Sequence, residues 1–319
     1  MKPSVSVVVC TYNRADVLVH ALRSLCDQSL DASQYELIAV DNNSQDNTRE
    51  VIEGFCRRYP QVRYCLEKQQ GLSHARNRGW RESRGGYVAY VDDDCKVPDD
   101  WLEKAFEVLT RLSPAVFGGP YYGYYNSPKP GWWKERYGSF EHSETDGALA
   151  QGTYLRGGNI FFQRAMLEAV GGFDCRYGMV GEKLAYAEET DLQKRIRSAH
   201  PDALIHYEPT LLVYHLVRPE KMTLRWNVTS HFRGGRSYYH VDADNSLQVP
   251  GPRRITLLAQ MATALLNLAG GLGVALLWRD RKRFPRLQNY VYEVSFAHLQ
   301  HLGFMYERYV DSKRKADEP

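Results

Sequence analysis

Four short runs rich in β-branched and apolar residues, at 5–10, 35–40, 62–66 and 87–91, alternate with longer amphipathic stretches through the first 112 residues. That alternation predicts a parallel sheet with crossover helices, because parallel neighbours need a long connection between them. The helical stretches fall at 16–29, 48–59, 72–83 and 99–112, the last opened by Pro98 and the acidic pair Asp99 and Asp100, which favour a helix start. The expected class is α/β, Rossmann-like, with a doubly wound and mostly parallel sheet. Such sheets bind ligands beyond the carboxyl ends of their strands, and here the residues at those ends are strongly polar.

Beyond residue 112 the pattern loosens. Residues 118–140 are dense in Tyr, Trp, Pro and Gly and read as a structured loop whose Trp132 and Trp133 suit sugar stacking, loop packing or membrane contact alike. A strand is expected at 153–162, a helix at 164–170 ended by Gly171-Gly172, a helix at 189–198, and closing runs at 203–206 and 211–217. Past residue 217 the composition changes: 255–278 carries no charge and is flanked by Arg253, Arg254, Arg279, Arg281, Lys282 and Arg283. It exceeds the roughly 20 residues that cross a bilayer, although Gln260, Asn267 and the glycines at 270, 271 and 273 weaken a simple span. With the aromatic-rich amphipathic stretch 287–309, it suits helices lying on an anionic membrane surface, or else two core helices. The expected organisation is a catalytic domain at 1–217, divided into a donor half (1–112) and an acceptor half (113–217), with a helical membrane-associated region at 218–319.

The charge balance, 41 Lys+Arg against 38 Asp+Glu for a net +3, argues against a nucleic-acid partner. Six cysteines without a C-x-x-C pair fit a reducing compartment, and the first residues lack a secretory pattern. A cytoplasmic catalytic part is expected.

The first run ends in Cys10-Thr11-Tyr12-Asn13-Arg14 and the second in Asp41-Asn42-Asn43-Ser44. The G-x-G-x-x-G loop of a dinucleotide site is absent. An aromatic and a carboxylate at adjacent strand ends can instead hold a single base, Tyr12 stacking and Asp41 accepting an N–H; equally, Asp41 and Ser44 can form turn hydrogen bonds. Three consecutive acids, Asp92-Asp93-Asp94, abut the hydrophobic fourth run. Adjacent carboxylates repel unless a cation neutralises them, and hard oxygen ligands suit Mn²⁺ or Mg²⁺ bridging a diphosphate. Arg76 is a candidate for phosphate or base contact. Glu188, Glu189 and Asp191 open a helix, which the helix dipole alone would favour, yet one of them can serve as a general base. His215 after an apolar run is a candidate metal ligand or a structural histidine.

Taken in order, VSVVVCTYNR (5–14), VDNNSQDNT (40–48), GLSHARNRG (71–79), VDDDC (91–95), GGNIFFQRAMLEAVGGFD (157–174) and EETDL (188–192) resemble the family-2 inverting glycosyltransferases with a GT-A fold. The resemblance covers about two thirds of the chain and fixes no substrate. It implies a donor site at Thr11, Tyr12 and Asp41 for the base, with Arg14, Arg76, Asp92 and Asp93 around the nucleotide sugar. It further implies a metal held by Asp92, Asp94 and His215, an acceptor side at Gly158 and Asn159, and a catalytic base at Glu189 or Asp191. The family's usual Glu-Asp pair is here Glu188-Glu189, so the choice of base stays open. Expected partners are a nucleotide-diphosphate sugar, most simply a UDP-sugar, a saccharide or lipid-linked acceptor, and the inner face of the cell membrane. A nucleotidyltransferase would need a Gly-rich, Lys-containing loop after the first run, which CTYNRAD lacks. A dead donor-binding scaffold has no need of the acidic triplet.

Overall fold

The computed structural model describes residues 4–181, 183–245 and 254–317, so Arg253 of the basic flank lies outside them. The described residues form two compact units. The first is drawn from Met1–Tyr124, Glu135–Lys183 and Glu188–Leu216, the second from Tyr125–Lys134, Leu184–Ala187 and Val217–Pro319.

In the first unit the four predicted strands appear as β1 (Val5–Thr11), β2 (Tyr35–Asp41), β3 (Val62–Leu66) and β4 (Tyr87–Asp92), interleaved with α1 (Ala15–Cys26), α2 (Thr48–Arg58) and α3 (Leu72–Glu82). After them come β5 (Cys95–Lys96), α4 (Trp101–Leu112), β6 (Val116–Gly118), β7 (Tyr121–Tyr124), β8 (Gly147–Ala148), β9 (Asn159–Gln163), α5 (Arg164–Val170), α6 (Glu188–Ala199), β10 (Ile205–Tyr207) and β11 (Val213–Leu216). An eight-stranded sheet runs β3-β2-β1-β4-β9-β6-β10-β8, and a small sheet runs β5-β11-β7. In the large sheet only β9 and β8 run against the rest.

The period of two along β1 builds the two faces of the core. Val5, Val7 and Val9 pack with Leu18, Leu22, Ile52 and Trp101; Val8 packs with Ala75, Trp80, Leu192 and Ile196 on the other face. Helix α3 lies so close to β1 that a Cβ on Gly79 would stand 2.3 Å from Val8 Cγ1. Helices on both faces give the doubly wound arrangement that the run-and-helix pattern predicts.

Tertiary hydrogen bonds move several predicted boundaries. Helix α1 stops at Cys26 because the Gln28 amide donates to the Ser24 and Pro98 carbonyls while its Oε1 accepts from Leu102 N–H at the start of α4. The strand expected at 153–162 begins only at Asn159: Leu155 makes both backbone bonds to the Gln193 side chain instead of to a strand. The expected loop at 118–140 contains β7, which pairs in parallel with β11.

The second unit, in the region expected to be helical, holds α7 (Leu224–Asn245), for which no separate bounds were expected, α8 (Arg254–Trp278), the short α9 (Leu287–Tyr290), a π-helical stretch Val291–Ser295, and α10 (Phe296–Asp317). Helices α7 and α10 touch at backbone distance: a Cβ on Gly235 would stand 1.8 Å from the Gln300 carbonyl oxygen, and one on Gly303 2.0 Å from that of Phe232. Arg236 and His240 both reach Glu307, at 2.5 and 3.1 Å, and Tyr239 donates to Asp311 at 2.7 Å. Trp132 and Trp133 are buried against the Tyr292 ring, so packing rather than an open sugar platform accounts for them. Helix α8 passes unbroken through Gly270, Gly271 and Gly273 and leaves Leu266, Leu277 and Trp278 more than 70% exposed.

Candidate active site

The acidic triplet leaves β4 at the carboxyl edge of the sheet, and its members diverge. Asp92 is half-exposed, whereas Asp93 and Asp94 are buried. Arg14, at the entrance to α1, places Nη1 2.8 Å from Asp93 Oδ1 and 3.6 Å from Asp94 Oδ2. Burial lifts Asp93 to about 6, against the pull of Arg14 and with a further push from Asp94, while the acids hold Arg14 above its ordinary value. One guanidinium thus offsets part of the repulsion that three adjacent carboxylates create.

The small sheet delivers the histidine. Strand β11 pairs with β5 in the register His215↔Cys95, and Leu216 N–H donates to the Asp94 carbonyl at 2.9 Å. His215 Nε2 consequently lies 3.4 Å from Asp94 Oδ1, its ring packed near Tyr121 with 5.5 Å between centroids. Asp92, Asp94, Cys95 and His215 each bring one ligand-type atom within 4.8 Å of the others. Two carboxylate oxygens and an imidazole nitrogen suit Mn²⁺, and the Cys95 thiol is the soft member of the group. The residues present fit a divalent ion.

Arg76, on α3, is 3% exposed and joins three segments. Its Nη1 donates to Glu188 Oε1 at 2.7 Å, and Nη2 reaches Asp92 Oδ1 at 3.5 Å and the Gly157 carbonyl at 3.4 Å. The ring faces of Tyr90 and Phe173 lie 5.7 and 5.4 Å from the guanidinium carbon, a cation–π seat that partly replaces lost hydration. Burial, then the neighbouring Glu189 charge, pushes Glu188 up to about 8 in spite of Arg76, whose own value is raised by Glu188 and Asp92. The 157–158 turn passes close to this cluster: a Cβ on Gly157 would stand 2.8 Å from Arg76 Nη2, and one on Gly158 2.7 Å from Asp92 Oδ2, so a larger residue at either place would push these side-chain ends aside.

Glu189 and Asp191 differ in surroundings. Glu189 sits in the first turn of α6, beside Glu188 and next to the strained Ala187, whose φ of 79° is rare for a residue with a side chain. Asp191 Oδ2 accepts from Arg195 at 2.7 Å, and Arg195 also donates to the Val170 and Gly172 carbonyls. Asp191 is thereby a brace between α6 and the end of α5.

At the strand ends, Thr11 is buried and Tyr12 half-exposed. Asp41 is buried and accepts from Ser44 N–H at 2.8 Å and from the Tyr64 hydroxyl at 3.2 Å, so the turn bonds foreseen for it are present. Asn159 is drawn away from the cluster: its amide donates to the Pro120 and Leu211 carbonyls and accepts from Trp101 Nε1 inside the core. Glu188, one of the three acids open as a general base, is instead the partner of Arg76. One residue at the site was not among those expected there. Asn42 ties the 67–71 loop through the Glu67 and Gln69 carbonyls and Gly71 N–H, a role no local pattern announces.

Residues 6–171 match the model of glycosyl transferase family 2. The glycosyltransferase AglE of Haloferax volcanii is 32% identical over 172 residues, which are 54% of this chain and 56% of that protein. A glucosyl-dolichyl phosphate glucuronosyltransferase of the same organism is 29% identical over 245 residues, 73% of this chain and 75% of its own. The succinoglycan biosynthesis protein ExoM of Rhizobium meliloti is 28% identical over 247 residues, 76% of each chain. Among solved structures, a mannosyltransferase from Pyrobaculum calidifontis in complex with GDP-Man and Mn²⁺ superposes with a TM-score of 0.61 over 100% of this chain and 89% of its own, at 17% identity. S. aureus TarS in complex with UDP-GlcNAc gives 0.57 over 99% and 92%, also at 17%. These likenesses show the GT-A fold that the motif order implied. With a family model covering half of its length and the acidic triplet at the carboxyl edge of such a sheet, the chain belongs to glycosyl transferase family 2.

Proposed function

We propose that the chain transfers a sugar from a nucleotide-diphosphate donor, a UDP-sugar, to an acceptor hydroxyl with inversion at the anomeric carbon. The observation that carries this reading is the Arg76 guanidinium held between Asp92 and Glu188: it ties the strand end expected to meet the donor to the helix start that carries the candidate base. In this reading Thr11, Tyr12 and Asp41 receive the base, Arg14 and Asp93 shape the donor pocket, and Arg76 orients Asp92. Glu189 takes the proton of the attacking hydroxyl; Asp191 is committed to Arg195, which favours Glu189 over it. Gly158 lets the turn pass close against Asp92, while Asn159 braces the wall behind it. Asp92, Asp94 and His215 would hold Mn²⁺ or Mg²⁺, which when bound stabilises charge on the departing diphosphate.

Residues 1–112 serve the donor and 113–217 the acceptor. The acceptor is a saccharide or lipid-linked glycan in polysaccharide or glycolipid synthesis, a reading supported by relatives named for succinoglycan and for a glucosyl-dolichyl phosphate. Residues 218–319 attach the protein to the cytoplasmic face of a membrane, as the exposed apolar surface of α8 suggests.

The test is a thermal-shift panel of UDP, GDP, dTDP and CMP with and without Mn²⁺, followed by turnover with the stabilising donor class. A Mn²⁺-dependent shift with UDP alone supports the donor assignment. A shift with GDP alone replaces the base and leaves the chemistry standing. The absence of any shift, together with no turnover, would leave a scaffold rather than an enzyme.

A further inference from the structure

A second cluster of ligand-type side chains lies at the other end of the large sheet, on β10, β8 and the residues next to them. His206 and Glu208 are two apart, so both side chains leave the same face of the strand. Strand β8 runs antiparallel to β10 in the register His206↔Ala148 and Tyr207↔Gly147, and continuing it by one residue sets Asp146 opposite Glu208. One ligand-type atom from each of Asp146, His206 and Glu208 falls within 4.8 Å of the others.

His206 is the telling member. It is 3% exposed, and its Nε2 has no hydrogen-bond partner, with Glu208 Oε2 at 3.8 Å. A buried imidazole nitrogen without a partner carries a desolvation cost that a core histidine ordinarily avoids. The two carboxylates are spanned by Arg111, whose Nη2 lies 3.3 Å from Asp146 Oδ2 and 3.3 Å from Glu208 Oε2. Arg111 is more than half exposed and projects from the last turn of α4. Beside it a cleft of about 260 Å³, lined by Lys104, Glu107, Arg111, Glu208 and Thr210, opens to solvent. The guanidinium can therefore withdraw without disturbing the core. Unlike Arg111, an ion at this place would also use the Nε2 lone pair.

We propose that Asp146, His206 and Glu208 form a second divalent-cation site of the Zn²⁺ type, separate from the acidic triplet, with Arg111 as the cation that fills it when metal is absent. One nitrogen and two carboxylate oxygens from adjacent strands form a three-ligand set that Zn²⁺ completes with water. The site staples the two-residue strand β8 to the sheet edge, a place where so short a pairing has little stability of its own.

The experiment is Zn²⁺ uptake by the full, tag-free chain carrying Asp94→Asn, Cys95→Ser and His215→Gln, which strips the other cluster of all but one of its ligand side chains, measured by equilibrium dialysis with metal analysis and by thermal melting. The parent should bind one equivalent and melt higher with Zn²⁺. Asp146→Asn, an exposed and mild change, should lose that equivalent and the shift, as should His206→Gln if it folds. Arg111→Ala should bind the equivalent more tightly, because the competing cation is gone. Equal uptake by parent and Asp146→Asn, no uptake by the parent, or weaker binding by Arg111→Ala would each overturn the assignment.

Discussion

Asp94 and His215 stand far apart in sequence and reach 3.4 Å because β11 docks beside Cys95. Asp94→Asn should therefore abolish the Mn²⁺-dependent stabilisation by nucleotide while leaving the metal-free melting temperature within a few degrees; an unchanged Mn²⁺ response would remove the triplet from the site. Glu189→Gln should lower kcat by about 10²–10⁴ with donor binding retained, the usual weight of a lost general base, whereas Asp191→Asn should chiefly cost stability by freeing Arg195. Near-normal turnover in Glu189→Gln would reassign the base. Glu188 gives a pH signature. Its value in the folded protein is raised from 4.5 to about 8, so folding favours the protonated form. The stability it contributes is fully present below about pH 4.5 and is lost as the pH climbs through about 8. Chemical denaturation without metal or nucleotide should show wild type losing stability across that window, by at most about 1.4 kcal/mol per pH unit for one proton, with Glu188→Gln flatter. Parallel curves would contradict this. At this scale the acidic triplet was legible in the sequence because three charges after a buried strand demand a reason. The Arg76–Glu188 pair and the core role of Asn159 were not, since each depends on a residue from a distant segment.

Elements of strong period were read correctly, and those defined by their neighbours were not. The four runs became strands because alternate valines face two helical layers. Leu155 reads as strand yet spends its backbone bonds on Gln193. Helix α7 lies in the region expected to be helical but had no bounds of its own, since what fixes its place is the close approach of α10 to Gly235. Gly235→Ala should destabilise the protein by about 1–3 kcal/mol, the usual cost of overpacking, since the new methyl meets the Gln300 carbonyl. Thermal melting checks it, and a stable variant would show the crossing can open. Ala187 offers the reverse. Its φ of 79° costs an alanine roughly 1–2 kcal/mol that glycine does not bear, so Ala187→Gly should raise stability or, by loosening the first turn of α6, reduce turnover. A variant unchanged in both respects would mean the strain is not real.

For the whole molecule, the expected membrane role rests on α8. Leu266 and Leu277 are 72% and 71% exposed, so charging them cannot disturb the core, while each loses about 1.5–3 kcal/mol of apolar burial in lipid. Leu266→Glu with Leu277→Glu should cut co-sedimentation with anionic phosphatidylglycerol vesicles by at least tenfold, with nucleotide-induced stabilisation unchanged. Equal sedimentation would detach α8 from any membrane function. The class of sheet, the edge at which the polar residues gather, the acidic triplet and the uncharged helix follow from the order of residues alone, because periodicity and local charge are properties of neighbouring residues. It took the folded arrangement to pair Arg76 with Glu188, to bring His215 to Asp94, to make braces of Asp191 and Asn159, and to bury His206 beside two carboxylates. Those outcomes depend on strand register and on which segments cross, and neither is written in any local stretch of the chain.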